Sequence, residues 1–505
     1  MTDKKEFATS LKENREWLEN TFNVPKNFDF VIREFSIPSQ DNEINGVLAF
    51  YDGLVSQTYI NRDIMQGLLS LSDNLKEDEK LDDAIFKKLI TLAPLTKEND
   101  YTTIADMLSF GHCLIFVDGS EYCFAADVKG WGNRGVDKPI REATLTGPQE
   151  AFNEVIMSNL ALIRKILKDT DLIAENIKVG RVSNTPCALL YIKGVTNKEL
   201  VGEIRDRLNS IETDYIFSSD DIELLIEDKT FFPITYTLKT ERPDRAAAML
   251  AEGKVVIIVQ GSPFVLVLPT TAADLIETSE DNYVRVPEAN FMRIIRILGM
   301  VLSLFLPGLF VAVMLFNREI IPTDLLLNIE ASREVVPFPL TVEIILMELA
   351  FELIKEASVR VPSPVGSTLG IIGGLILGQA AVEANIVSPI SIIVVSVSGL
   401  GAFATPSVEL SRSLSLTRFV FIIAGALCGL LGIVTVFFAG VAFVSASATY
   451  GVPFLSPFTP RSSDSPIDEL LVKPIWKKER RPANLKTQNP KRQPHISRKW
   501  LNDDK

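Results

Sequence analysis

The run IIRILGMVLSLFLPGLFVAVMLF, Ile294 to Phe316, decides the class of this chain. It holds about twenty apolar residues, enough for a helix to cross a hydrocarbon core. Arg293 and Arg296 at its start suit a cytoplasmic entry, because positive residues are retained on that side. Pro307-Gly308 sits mid-span and predicts a kink.

Downstream, NREIIPTDLLLNIEASREVVPFP is too polar to span. Leu340–Val361 then mixes apolar residues with Glu348, Glu352 and Glu356, spaced i, i+4, i+8 on one helix face. Lys355 and Arg360 stand where they can pair with Glu352 and Glu356. Two readings stay open: an interfacial helix with a wet face, or a water-lined re-entrant helix whose carboxylates attract cations. The second span is PVGSTLGIIGGLILGQAAVEA, from Pro364. Its Gly366, Gly370, Gly374 and Gly378 recur every fourth residue and let another helix approach closely. Glu383 ends the stripe and is either interfacial or functional. A third span, about Ser388–Thr405, is rich in small residues and stops at Pro406. A short polar loop with Glu409, Arg412 and Arg418 is expected next. The last apolar run, Phe419–Ala448, reads as one long tilted helix or two short ones.

The net charge is −13, which argues against a nucleic-acid binder. The tail from residue 461 carries +6, leaving −19 on the rest. Its basic WKKERR favours a cytoplasmic C-terminus and contact with anionic lipid. Met1–Glu19 is polar and lacks the apolar core of a cleavable signal, so the first span is expected to insert the chain and leave the N-terminal half in the cytoplasm. Both ends inside require an even number of crossings. Four are expected, with Leu340–Val361 amphipathic or re-entrant.

The N-terminal half reads as a duplication. Met107 to Gly111, HCLIFV, Asp118-Gly119-Ser120 and EYCFAADV run helix, strand, turn, strand. Met249 to Gly253, KVVIIV, Gln260-Gly261-Ser262 and PFVLVLP repeat the design 142 residues later. Gly111 and Gly253 suit left-handed helix ends, and Gly119 and Gly261 suit tight turns. Upstream, YDGLVSQTYINRDIMQGLLSL from Tyr51 matches YIKGVTNKELVGEIRDRLNSI from Tyr191, each a strand, a turn and an amphipathic helix.

The fold class is therefore an α/β soluble N-terminal half of two repeated subdomains plus an α-helical multi-span membrane domain. The expected segments are a polar N-terminal stretch 1–27, α/β subdomains 28–140 and 170–290 joined by a helix in 141–169, a membrane domain 291–450, and a Pro-rich then basic tail 451–505. No catalytic constellation, cofactor motif or metal spacing appears. His112 heads a strand and reads as structural. Cys113 and Cys123 flank the Asp118-Gly119 turn. A two-residue hairpin would place residue 113 opposite 124 and the two sulfurs on opposite faces, so no disulfide is expected. All four cysteines read as reduced thiols.

The run from Ile320 to Pro389, containing EASREVVPFP and the glycine stripe, resembles the hallmark of the GerA family of spore germination proteins, A subunit. GVPFLSPFTP from Gly451, YDGLV at Tyr51 and GPQEAFNE at Gly147 are similar to other blocks of that family. The resemblance covers nearly the whole chain. GPQEAFNE departs from the family's usual GPREGFTE form, which bears on subfamily and germinant. The resemblance implies a subunit of a nutrient-germinant receptor in the inner membrane of a bacterial endospore, or a sporulation-stage paralogue. It implies a multi-span B subunit and a lipoprotein C subunit as partners, a homo-oligomer, and a ligand-gated cation channel. On that reading Glu348, Glu352, Glu356 and Glu383 are candidate cation-path carboxylates. A structural scaffold is the alternative. A secondary transporter is a weaker one, because the repeat lies in the soluble half and not among the spans.

Overall fold

The structure, a computed structural model, describes residues 7–37, 43–69, 81–86, 90, 95–130, 138–139, 142, 144–228, 235–360, 378–459 and 471–494. The chain divides into two units. One comprises Met1–Glu227, Thr237–Pro269 and Ile475–Lys505; the other comprises Asp228–Tyr236 and Thr270–Pro474.

The first unit contains two five-stranded antiparallel sheets. In chain order the first repeat runs α1 (Leu11–Thr21), β1 (Phe30–Ile37), β2 (Ile44–Tyr51), a helical run α2 (57–69), β3 (Leu95–Glu98), α3 (Tyr101–Ser109), β4 (His112–Val117) and β5 (Cys123–Asp127). The second runs α4 (Ile156–Ile166), β6 (Leu172–Val179), β7 (Thr185–Ile192), α5 (Lys198–Asn209), α6 (Ser219–Ile226), β8 (Leu238–Thr240), α7 (Pro243–Glu252), β9 (Val255–Val259) and β10 (Val265–Leu268). The strand orders are β1-β2-β4-β5-β3 and β6-β7-β9-β10-β8, one topology used twice. Register repeats as well: Ile115 faces Phe124, and Ile257 faces Leu266.

Alternation along the strands feeds two cores in the first repeat. On one face Ile37, Leu48, Cys113, Ile115 and Phe124 pack on Ile60, Ile64 and Leu68 of α2. On the other Val47, Ala49, Leu114, Phe116 and Cys123 pack on Leu18 and Phe22 near α1 and on Ile104 and Leu108 of α3. The sheet is thus covered on both sides, and the two buried thiols do lie on opposite faces. Gly111 and Gly253 end their helices at φ +86° and +101°, where a side chain would be strained.

Two expectations change. Cys113 pairs with Ala126, not residue 124, because the β4–β5 loop takes residues 118–122. Ser120 Oγ donates to the Tyr122 carbonyl (3.0 Å) and accepts from the Tyr122 amide (3.2 Å), which holds the longer loop closed. A shift of two residues keeps each side chain on its face. The helix expected from Gly147 begins only at Ile156. Asn153 explains this: its Oδ1 accepts the Val155 amide at 2.9 Å, and its main chain is held by Asn159 at both ends. Such a side-chain turn competes with helix. Helix α4 precedes β6 in chain order as α1 precedes β1, and its Arg164 reaches back to Asp29 of the first repeat.

The basic tail is also placed. Arg481 Nε donates to the Ala251 carbonyl (2.8 Å), Arg492 pairs with Glu252 (3.2 Å), and the Gln488 amide donates to the Val195 carbonyl (2.9 Å). Residues 480–492 therefore lie on the second repeat.

The second unit is helical: α8 (Val286–Phe316), α9 (Thr323–Arg333), α10 (Leu340–Arg360), α11 (Pro389–Phe403) and α12 (Val408–Ser445). Helices α8 and α12 are long and apolar enough to cross a membrane; α11, with 15 residues, is shorter. Glu409, Arg412 and Arg418 lie inside α12 rather than in a loop. Gly429, at φ 62° and ψ −144°, breaks α12, so the last apolar run is two helices meeting at a kink.

Candidate functional site in the helical unit

The site grows from a proline. Pro307 lies inside α8 and has no N–H to give the carbonyl four residues earlier. That carbonyl, of Ser303, instead accepts the Ser398 hydroxyl of α11 at 3.1 Å. The Ser303 hydroxyl accepts from an Arg418 Nη of α12 at 2.6 Å, and the other Nη donates to the Glu348 carboxylate of α10. Arg418 and Glu348 are both fully buried. One polar node thus ties four helices together.

Close backbone approach makes the node possible. A Cβ on Gly401 would lie 2.3 Å from the Gly299 carbonyl oxygen, and one on Gly425 would lie 2.6 Å from that of Gly308. These two pairs draw α11 and α12 against α8 as small residues do in packed membrane helices. Of the expected glycine stripe, Gly366, Gly370 and Gly374 lie outside the described residues. A Cβ on Gly378 would make ordinary contact with Ile392, at 3.7 Å.

The carboxylates of α10 grade from buried to exposed. Glu343 is buried, accepts the Ser388 hydroxyl at 2.6 Å and lies 3.6 Å from Arg333. One oxygen of Glu348 is taken by Arg418, and the other is buried with no hydrogen-bond partner among the described residues. Glu352 is half-buried; one oxygen lies 3.7 Å from Lys355, and the other is buried with no hydrogen-bond partner among the described residues. Lys355 also reaches Ser411 and Ser415 of α12, at 3.4 Å each. Glu356 is exposed. Glu383 is exposed on the helical turn that precedes α11, where it accepts from Gln379 at 3.0 Å. The helix spacing brings Glu348, Glu352 and Glu356 onto one stripe; no described contact brings Glu383 to them.

Sequence reasoning missed Arg418, Ser303 and Ser398 as members of this node, and it missed the separate contact of Glu343 with Ser388. The arginine was visible, but its partner is 70 positions away. Serines at 411 and 415, spaced to share a helix face with Arg418, were the available signal of a polar helix face. At the mouth of α8, Arg293 and Arg296 both clasp the buried Asp281, at 2.9 and 2.8 Å. Burial opposes the Asp281 charge, but the two guanidiniums outweigh it and hold the carboxyl below its usual range.

The family model described as Bacillus/Clostridium GerA spore germination protein matches residues 16–484. Spore germination protein KA of Bacillus subtilis (strain 168) is 37% identical over 495 residues, covering 95% of this chain and 89% of that one. Spore germination protein A1 of the same organism is 34% identical over 447 residues, covering 88% and 92%. The crystal structure of the N-terminal domain of the A subunit of the Bacillus megaterium spore germinant receptor GerK3 is similar over 52% of this chain and 96% of that one, at 29% identity and a TM-score of 0.40. With nearly its whole length matched, the chain belongs to the GerA family of spore germination proteins.

Proposed function

We propose that this chain is the A subunit of a nutrient-germinant receptor in the inner membrane of the endospore, and that copies of its helical unit gate a cation path. A lipid-facing position for the spans is supported by Leu427 and Leu431 of α12, which are 72% and 78% exposed where a soluble core helix would bury them. Four crossings with both termini cytoplasmic, a multi-span B subunit and a lipoprotein C subunit complete the reading. The observation that carries the cation path is Glu352, a half-buried carboxylate 3.7 Å from Lys355 with one oxygen unpartnered among the described residues. Carboxylates so placed, repeated around an axis, concentrate cations. Glu356 and Glu383 extend the path outward, whereas Glu348 fixes the helices through Arg418. The test is Glu352→Gln in spores, with potassium release followed after nutrient addition. Release should fall while protein level stays constant; unchanged release would remove the residue from the path. Cation flux through the purified chain in liposomes separates a channel from a scaffold.

A further inference from the structure

The tail forms a hairpin with an exposed apolar turn at its base. Residues 479–481 run antiparallel to 490–492: the Arg481 amide donates to the Pro490 carbonyl at 2.9 Å, the Arg492 amide donates to the Glu479 carbonyl at 2.8 Å, and Arg480 faces Lys491 across the pair. A single turn, Ile475–Lys477, precedes it. Two donors close that turn on the Ile475 carbonyl, the Lys478 amide at 3.1 Å and Gln493 Nε2 at 2.6 Å. The closed turn leaves its apolar side chains in the open: Ile475 is 67% exposed and Trp476 43%.

A cavity of about 410 Å³ adjoins the turn, lined by Glu479, Arg480, Pro490, Lys491 and Gln493. Gln493 serves both the cavity wall and the turn, so the two are built together. Arg480, Lys491 and Lys477 are exposed, and Lys478 is half-buried. Glu479 is the one acid among the lining residues, and Glu252 of α7 is taken by Arg492 at 3.2 Å. Lys477, Lys478, Arg480 and Lys491 therefore outweigh Glu479. A guanidinium and an ammonium around a concavity suit a phosphate. A tryptophan and an aliphatic side chain among lysines suit the bilayer interface, where an apolar body is buried and a polar end stays wet. A soluble phosphate would use the cations and leave the apolar pair in water; an anionic phospholipid uses both.

Chain reach agrees. Val472 exchanges two hydrogen bonds with the Asn290 side chain near the start of α8, at 2.6 and 3.2 Å. Asn290 precedes the apolar run at Ile294 by about 6 Å of helix. The three residues from Val472 to Ile475 reach at most about 11 Å, against a headgroup layer about 5–8 Å thick. We infer that this turn and cavity form a membrane-interface site: Ile475 and Trp476 enter the lipid interface, and Arg480 with Lys491 holds the phosphate headgroup of an anionic phospholipid. Arg481 and Arg492 fix the same hairpin to α7, so headgroup binding holds the second repeat as well as the tail at the bilayer. This inference rests on the membrane placement of α8 proposed above and is independent of the cation path.

The experiment uses the full-length chain reconstituted into vesicles of phosphatidylcholine with brominated acyl chains, without or with about 30 mol% phosphatidylglycerol. Bromine quenches a tryptophan that enters the interface, and the difference between the parent and Trp476→Phe isolates Trp476. Strong quenching of Trp476 is expected in the anionic vesicles and weak quenching in the neutral ones. Arg480→Gln with Lys491→Gln should lower the ratio of quenched to unquenched Trp476 emission about 25-fold in anionic vesicles, about fivefold for each cation removed. Equal quenching in neutral and anionic vesicles, or an unchanged ratio in the double variant, would overturn the headgroup site. Relief of quenching by free sn-glycerol 3-phosphate at about 10 mM would overturn lipid as the source of the phosphate. Flotation of the chain with the vesicles at alkaline pH reports insertion of the spans by itself. Failure to float overturns the membrane placement and the tail site with it; flotation without Trp476 quenching overturns the tail site alone.

Discussion

Arg164→Met tests what joins the two repeats. Arg164 is on α4 of the second repeat, and its guanidinium grips Asp29 of the first, with Nη2 to Oδ1 at 2.8 Å. It also lies 4.1 Å from the centre of the Tyr51 ring and donates to the Leu172 carbonyl at 3.3 Å. Side-chain exposure is 4% for Arg164 and 2% for Asp29, so solvent screens neither charge. Removing the cation leaves the Asp29 carboxylate buried without its counter-charge, and breaking such a pair from one side costs about 3–5 kcal/mol. For a domain of roughly 250 residues each kcal/mol lowers Tm by about 2–4 °C, so a drop of about 6–20 °C is expected. Intrinsic tryptophan fluorescence of the full-length chain is the assay, because Trp17 lies in α1 of the first repeat and packs on its core. Asp29→Asn combined with Arg164→Met removes both charges and should recover more than half of the loss. A transition within about 2 °C of the parent for the single variant, or no recovery in the double one, would refute the account of the node.

Glycine substitutions should split by what surrounds them. Gly401→Ala places a carbon against the Gly299 carbonyl and should cost about 1–3 kcal/mol, read as lost yield of folded chain in detergent. Gly202→Ala, in α5 with open space around the new carbon, should stabilise by about 0.4–1 kcal/mol. Glu348→Gln leaves Arg418 buried without its partner, and membrane-fraction immunoblots should show far less protein than for Glu352→Gln. Glu223 of α6 gives a pH signature. Burial pushes its carboxyl up to about 7 against the pull of Lys239, so the folded chain holds that proton more tightly than the unfolded one. Its contribution to stability therefore falls as pH rises from about 4.5 to about 7 and is flat above. In Glu223→Gln that part of the slope of Tm against pH should vanish; an unchanged slope would assign it to other groups.

How much of this was legible depended on distance along the chain. The duplication was readable because each repeat concentrates its evidence in about twenty residues: a strand period of two, a glycine at a left-handed helix end, a Gly-Ser turn. The same locality misled on register. Ser120 reads as a turn residue, but its hydroxyl bridges Tyr122 and lengthens the loop, as Ser262 does at Phe264. The helix at Ile156 was readable from its apolar spacing, and its start was not, because Asn153 and Asn159 act as a pair across the boundary. Partners such as Asp29 with Arg164, 135 positions apart, leave no mark in any local window. The tail's basic residues were visible as charge, but Ala251 and Val195, whose carbonyls they and Gln488 meet, offer only backbone atoms that no side-chain pattern announces.

Among the helices the same reasoning assigns roles to carboxylates that the sequence leaves equivalent. Where lipid surrounds a bundle, apolar contact gives little preference for one helix register over another, since lipid tails are equally apolar. Polar groups must then set the register, and they do so at Pro307. The carbonyl it releases is taken by Ser398, the hydroxyl beside it by Arg418, and the charge of Arg418 by Glu348. A carboxylate committed in this way is unavailable to a passing cation. Both carboxylates keep one oxygen unpartnered among the described residues, but Glu352, one turn further along α10, is only half-buried and has a lysine at 3.7 Å where Glu348 has a buried guanidinium. On the proposed function, the helix anchors itself through one glutamate and offers the next to the cation path. Exchanging Glu348 and Glu352 for glutamine one at a time should consequently produce opposite phenotypes, loss of the assembled protein in the first case and loss of ion release in the second.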